Sequence, residues 1–389
     1  MPRAHPRANG AAPLTALVLQ GGGALGAYQA GAYEALAAGA ATLDWVAGIS
    51  IGAINAALIA GNPPERRVQQ LRAFWERVSL ALLPTAAAGE LLGPLRGWWD
   101  NAIATLGAWQ GVPGFFTPQP PWAWWPEPPA SIYDTAPLHR TLLELVDFEL
   151  LNAGPTRFSV GAVDVESGNF TYFDNRHERI GPEHVMASGA LPPGFGAVEV
   201  GGRWYWDGGV VSNTPLEHVM QNLRTGAERP VTIFQIDLFG ARGALPRTLA
   251  DVAERRKDIQ YSSRTRMVST HVRERHQLHR RLRQLATLLP PDRRDSAEVR
   301  ALLAGCNDPP ITLVHVINRR KAFETMNKDY EFSRLSMTGH WSSGLADMGA
   351  SLELLGRQPP LQPGEFRVLD YQPDAPQGPR LRAAPGGEA

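Results

Sequence analysis

Short apolar runs alternate with small-residue or amphipathic stretches along most of the chain, the pattern of buried strands that feed helices. Leu14-Thr15-Ala16-Leu17-Val18-Leu19 reads as a buried strand, and a helix through Tyr28, Tyr33 and Leu36 follows. Leu43, Trp45 and Val46 mark a second strand; Ala53, Ile54, Ala56, Ala57, Leu58 and Ile59 mark a buried helix. Val68, Leu71, Phe74, Trp75 and Val78 recur at helical spacing over residues 64–78. Residues 135–146 predict a helix, with Thr135 as its N-cap and Pro137 in its first turn. Residues 158–163 and 169–173 predict two strands joined by the hairpin signal Glu166-Ser167-Gly168. A short helix over residues 182–188 leads to the strand Trp204-Tyr205-Trp206, and residues 231–236 and 311–317 read as two more buried strands. These elements predict one α/β domain rather than two.

Two regions break the rhythm. Residues 80–130 carry Trp98, Trp99, Trp109, Trp122, Trp124, Trp125, Phe115 and Phe116 among many prolines and glycines. They are either a loop packed down by its own aromatics or an apolar wall, lid or lipid contact. Residues 249–289 are helical, polar and rich in arginine and histidine, with Leu278, Leu282, Leu285 and Leu289 on one face. That helix is either a solvated cap on the sheet edge or a face attracted to anionic headgroups. The expected organisation is therefore a loose tail over residues 1–12, a catalytic domain over residues 13–357 with insertions at about 80–130 and 241–305, and a Pro/Gly-rich disordered tail over residues 358–389.

With 389 residues, 43% of them hydrophobic, the chain can bury a large core. Lys+Arg and Asp+Glu are both 38, so there is no basic excess to suggest a nucleic acid, and none is expected as a partner. The single cysteine, Cys306, excludes an internal disulfide and fits a reducing compartment. The apolar run at residues 14–19 is shorter than a signal h-region and is followed at once by glycines, so a cytoplasmic protein without an export signal is expected.

The candidate chemistry lies in three ordered stretches. Gly48-Ile49-Ser50-Ile51-Gly52 reads G-x-S-x-G between a strand and a helix, the setting of a strained turn that exposes a nucleophilic hydroxyl. Upstream, Gly21-Gly22-Gly23-Ala24-Leu25-Gly26 joins strand to helix and points backbone N–H groups at one spot. It also fits the dinucleotide pattern G-x-G-x-x-G, with Asp44 near the distance of a ribose-binding acid; but that acid should end its strand, and Asp44 precedes one. The other reading is an oxyanion hole facing Ser50. Downstream, Asp207-Gly208-Gly209 closes a strand, where α/β sheets gather catalytic groups, although Asp-Gly-Gly alone is also an ordinary turn. The histidines lack metal-ligand spacing, and no metal site is expected.

A glycine loop, a G-x-S-x-G elbow and a D-G-G turn in this order resemble the patatin-like phospholipase family, as does Ala187-Ser188-Gly189-Ala190-Leu191-Pro192. The resemblance spans residues 14–215 and continues to about 355 in the manner of larger bacterial members. It implies a three-layer α/β/α sandwich with a mostly parallel sheet, and a serine acyl-ester hydrolase acting on lipid-like carboxyl esters without a cofactor. It also implies Ser50 as nucleophile, Asp207 as general base, and the N–H groups of Gly22 and Gly23 as oxyanion hole; Gly21, Gly26, Gly48, Gly52, Gly208 and Gly209 complete the motifs. Family members often carry Arg or Lys where this chain has Leu25, which points away from strict phospholipid specificity. The alternatives are an α/β-hydrolase with a Ser-His-Asp triad, for which His315 and His340 are the candidate histidines, and a non-catalytic lipid-binding protein of the same fold. The partners expected are a lipid or ester substrate and a peripheral membrane surface; the sequence leaves the oligomeric state open.

Overall fold

The computed structural model describes residues 13–39, 42–81, 96–127, 129–223, 229–263, 265–306, 308–319, 327–372 and 380–383. Among these, ten strands form one sheet: β1 (Leu14–Leu19), β2 (Trp45–Gly48), β3 (Arg157–Asp164), β4 (Phe170–Asp174), β5 (Val198–Val200), β6 (Arg203–Asp207), β7 (Val231–Asp237), β8 (Ile311–Ile317), β9 (Phe366–Gln372) and β10 (Arg380–Ala383). Their order is β10-β9-β8-β7-β1-β2-β3-β6-β5, and β4 also pairs with β3. The six strands from β9 to β3 run parallel. The flanking strands β4, β5, β6 and β10 are antiparallel to their partners.

Parallel neighbours need long crossovers, and helices supply them. In chain order these are α1 (Ala27–Ala38), α2 (Ile51–Ala60), α3 (Pro64–Arg77), α4 (Arg96–Gln110), α5 (Ala136–Leu145), α6 (Phe148–Ala153), α7 (Pro182–Ser188), α8 (Leu216–Gln221), α9 (Leu249–Tyr261), α10 (Thr265–Thr287), α11 (Pro291–Arg294), α12 (Ala297–Leu303) and α13 (Arg334–Leu355). The alternation along β1 separates two cores. Leu17 and Leu19 pack with Tyr28 of α1, Ile54 of α2, Trp75 of α3 and Trp341 of α13. Ala16 and Val18 pack on the other face with Leu216 and Val219 of α8 and Val272 of α10. Helices thus cover both faces of a mostly parallel sheet, a three-layer α/β/α sandwich.

Several expectations change. The Pro/Gly-rich end is not wholly a tail: Phe366–Gln372 pairs in parallel with β8, and Arg380–Ala383 closes that edge. The short apolar run with Val368, Leu369 and Tyr371, all buried, outweighs the prolines on either side. The expected N-terminal tail lies outside the described residues. Within the Trp-rich region, the proline-free stretch Arg96–Gln110 is helix α4 rather than loop. The polar helical region is two helices, α9 and α10, and Leu278, Leu282 and Leu285 of α10 face outward. Thr135 does not cap α5 through its side chain; Asp134 Oδ1 accepts the Ala136 N–H at 2.9 Å instead.

Helix α13, which the apolar pattern does not reveal, crosses α1 at two glycines. A Cβ on Gly31 would stand 1.9 Å from the Trp341 carbonyl oxygen, and one on Gly344 1.9 Å from that of Tyr28. The Tyr28 hydroxyl donates to Asp347 Oδ2 at 2.6 Å, and Trp341 Nε1 donates to Glu34. Gly31→Ala and Gly344→Ala are each expected to lower the unfolding free energy by at least about 1–3 kcal/mol, because backbone rather than a pliable side chain must give way. Urea denaturation checks this; wild-type midpoints would show that the two helices do not meet here.

Candidate active site

Ser50 and Asp207 meet because two strands end head to head. β2 runs parallel to β3, with Gly48 opposite Val160. β6 runs antiparallel to β3, with Asp207 opposite Ala162. β4 pairs with the same stretch of β3 from its other edge. The C-terminal ends of β2 and β6 therefore converge on one edge of β3, with Gly161 between them. The seam is tight: a Cβ on Gly208 would lie 2.7 Å from the Gly161 carbonyl oxygen.

Ser50 follows β2 and caps α2 with φ 56°, the one positive φ at a non-glycine position among the described residues. With ψ −123° this is a sparsely populated region that costs on the order of 1–3 kcal/mol and persists only where surroundings hold it. Here the Ser50 N–H donates to the Ser188 carbonyl at 3.1 Å and to the Ser188 hydroxyl at 3.0 Å. The Ser188 hydroxyl in turn donates to the Gly161 carbonyl at 2.7 Å. The flanking glycines let strand and helix touch, since a Cβ on Gly48 would stand 2.2 Å from the Gly52 carbonyl oxygen and one on Gly52 2.4 Å from that of Leu19.

Asp207 is 1% exposed, and its Oδ1 accepts the Gly209 N–H at 2.7 Å. Burial pushes its carboxyl up to about 7, while hydrogen bonds from the Ser50 hydroxyl and the Gly209 N–H pull the other way. A carboxyl so placed can take a proton from the serine hydroxyl and release it again near neutral pH.

The glycine loop lines the same pocket. Gly23 has φ +54°, and a Cβ there would stand 2.2 Å from the Asp329 carbonyl oxygen, which accepts the Ala24 N–H at 2.9 Å. Leu25 N–H turns back to the Gly22 carbonyl at 3.2 Å. Among the described residues, no protein acceptor takes the N–H of Gly22 or of Gly23. Gly26 lets the loop settle on α2, where a Cβ would meet Ile51 Cγ1 at 2.5 Å.

A buried polar frame that the motifs do not disclose fixes this loop. Asn213 Nδ2 donates to the carbonyls of Gly21 at 3.0 Å and Tyr261 at 2.8 Å. Gln20 Oε1 accepts the N–H groups of Leu238 at 2.6 Å and Phe239 at 2.9 Å. Asn55 Nδ2 donates to the Gly26 carbonyl at 3.0 Å, and Trp75 Nε1 donates to Asn55 Oδ1 at 3.0 Å. The available signals were slight: Gln20 directly precedes the glycines, and Asn213 stands in a Ser-Asn-Thr-Pro turn just past Asp207.

The pocket holds about 660 Å³, including the part open to solvent. Phe115, Phe116, Phe195 and Phe332 form one aromatic cluster in its lining, and Phe239 packs against Tyr261 as a second contact, with Leu191 and Tyr330 completing the wall. Phe115 and Phe116 are thus the part of the Trp-rich region that reaches the site, while Trp122, Trp124 and Trp125 are exposed and do not line it. Among the described residues no histidine lines the pocket. His315 is held between Asp237 at 2.6 Å and Asp370 at 3.2 Å, and His340 is buried on α13. Asp44 precedes β2, accepts the Thr15 N–H at 2.9 Å and pairs with Arg229 at 3.0 Å, so it stands at the wrong end of the sheet for a ribose at the glycine loop. No three His, Cys, Asp or Glu side chains among the described residues are grouped to hold a metal.

A family model described as Patatin-like phospholipase matches residues 17–220, which hold the glycine loop, the elbow and the Asp207 turn. The chain belongs to the patatin-like phospholipase family. A second model, described as Patatin phospholipase, matches residues 259–360. Membership places the protein among lipid acyl hydrolases. A search of curated proteins found no match. The crystal structure of VipD from Legionella pneumophila aligns with a TM-score of 0.35 at 12% identity, over 86% of this chain and 67% of that one, a likeness too loose to carry any weight.

The raised Asp207 carboxyl has a consequence for stability. The folded state retains its proton up to about 7, whereas the unfolded chain loses it near 3.8. Folding stability therefore falls as pH rises between those values, and the whole loss is present above about 7. Asp207→Asn is expected to be more stable than wild type at pH 8, by on the order of 1–4 kcal/mol, and the gap should narrow as pH falls towards 5. Denaturant titrations at both pH values check this; a gap independent of pH would place the ionisation elsewhere.

Proposed function

We propose that the protein hydrolyses carboxyl esters of lipid-like substrates with Ser50 as nucleophile and Asp207 as general base. The observation that carries this reading is the Asp207 carboxyl facing the Ser50 hydroxyl in an apolar pocket that no histidine lines among the described residues. Ser50 Oγ attacks the ester carbonyl carbon while its proton passes to Asp207. The N–H groups of Gly22 and Gly23 donate to the oxyanion. Collapse expels the alcohol, which takes the proton from Asp207 and leaves an acyl-serine. Water then gives a proton to Asp207 and its oxygen attacks the acyl carbon; release of the acid restores the Ser50 hydroxyl. The cycle consumes only ester and water.

The aromatic lining suits an acyl chain. Leu25 is fully buried and does not line the pocket, so the loop offers no cation for a phosphate there, which favours a broad lipid-ester range over one headgroup. The exposed Trp122, Trp124 and Trp125 fit peripheral contact with a lipid surface. Among the described residues no helix is long and apolar enough to cross a membrane. A cytoplasmic enzyme working at membrane surfaces is consistent with these features.

Ser50→Ala and Asp207→Asn are each expected to lower kcat/KM on a short-chain ester by roughly 10⁴-fold or more, and the double variant little further. His315→Ala and His340→Ala should retain turnover wherever they fold. Because the base must be ionised, wild-type kcat/KM should rise with pH to a plateau, with its midpoint near 7. An essential histidine would replace the dyad with a triad. Separately, Gly23→Ala should cost roughly 2.7–4 kcal/mol of transition-state stabilisation, with substrate affinity affected less than turnover; unchanged turnover would remove the glycine loop from the chemistry.

A further inference from the structure

Helix α9 is turned inside out. It buries two carboxylates: Glu254 and Asp258 lie against Lys328 Nζ at 3.6 and 2.8 Å, and the half-buried Lys257 pairs with Asp329. On the opposite face Leu249 is 88% exposed, Val252 51% and Ile259 57%, at spacings of three and seven that align them in one stripe. Leu245, just before the helix, is 87% exposed. A surface helix normally does the reverse, and apolar side chains lined up in water, here with the exposed Arg256 among them, mark a contact surface.

The charges say what the contact is. The three carboxylates of α9 are all occupied: Glu254 and Asp258 are buried, and Asp251 accepts the backbone N–H groups of Arg247 and Thr248 at 3.1 and 3.0 Å. Within residues 241–261 the charged side chains in the exposed class are Arg242, Arg247 and Arg256, and no acid is among them. Apolar and cationic groups with no exposed acid suit a lipid surface bearing anionic headgroups.

The inner side of the same helix is bonded to the active-site rim. Tyr261, its last residue, lines the pocket, and its carbonyl accepts from Gln20 Nε2 at 3.0 Å and from Asn213 Nδ2 at 2.8 Å. Asp329, which Lys257 holds, lines the pocket beside Gly23. We propose that the Leu249–Val252–Ile259 face of α9 docks the enzyme onto an anionic lipid surface and so brings the rim of the Ser50 pocket to its substrate. The choice of lipid as occupant rests on the lipid-ester reading above.

The test uses the full chain, large vesicles of phosphatidylcholine with or without phosphatidylglycerol, and the triple variant Leu249→Gln, Val252→Gln, Ile259→Gln, whose side chains are already in water. Wild type should sediment with the anionic vesicles at low salt, and the triple variant at least tenfold less. Hydrolysis of vesicular ester should fall in parallel, while hydrolysis of a soluble short-chain ester stays unchanged. Arg247→Gln and Arg256→Gln should each weaken anionic binding by about fivefold and leave binding to neutral vesicles alone. Equal vesicle binding by wild type and triple variant overturns the proposal, as does wild type that ignores both vesicles. A wild-type dimer that the triple variant turns into monomers overturns it too, by making a second copy the occupant. Vesicle binding without hydrolysis of any ester would leave the docking face standing and remove the catalytic reading instead.

Discussion

The site depends on one constraint: β2 and β6 approach each other along a single edge of β3 and stop with one glycine between them. An ordinary parallel sheet would add a seventh parallel strand on the far edge of β3, and its own loop would follow at the same end of the sheet. The antiparallel β6 instead delivers its last residue, Asp207, to the end of β2, where Ser50 begins α2. The carboxylate and the hydroxyl are then neighbours through the backbone itself, with no loop to hold them. The left-handed Ser50, the bare Gly161 and the Ser188 hydroxyl bond are what this closeness demands.

The chain beyond residue 220 completes that centre rather than decorating it. Leu238 and Phe239 grip Gln20 from the end of β7, Tyr261 takes the Asn213 amide, and Asp329 takes the Ala24 N–H. Each of these bonds ends on the glycine loop or its neighbour. Residues from both matched ranges, 17–220 and 259–360, thus meet at this pocket. Helix α9, whose last residue Tyr261 lines that rim, turns Leu249, Val252 and Ile259 to solvent on its other face.

Much of this was legible in the amino-acid order. Short apolar runs marked β1, β7 and β8, because buried strands of a parallel sheet carry nearly continuous apolar side chains, and a hairpin signal between two such runs marked β3 and β4. The serine elbow and the Asp-Gly-Gly turn carried their own local signals. What stayed hidden was decided by contacts far apart in sequence. Helix α13 packs through Gly31 and Gly344, and its apolar face of Met337, Trp341, Met348 and Leu352 is interrupted by Gly344 and matched by Leu345 on the outer side, so the stripe that announces a helix is blurred. Strand β9 sits between proline-rich stretches that read as a tail. Asn213 and Gln20 are single polar residues whose partners lie 192 and 218 positions away. The inverted burial of α9 depends on Lys328, which nothing near the helix announces.

The account stands on a covalent acyl-serine at Ser50. Brief incubation of the full-length wild-type protein with a fluorophosphonate, which forms a stable bond with an activated serine hydroxyl, followed by peptide mass spectrometry, reads this directly. One phosphonyl group per chain on the peptide carrying Ser50, its rate of attachment rising with pH to a plateau above about 7 and absent in Asp207→Asn, is the predicted result. Labelling at another serine, or labelling of Ser50 that survives Asp207→Asn at the wild-type rate, would contradict it.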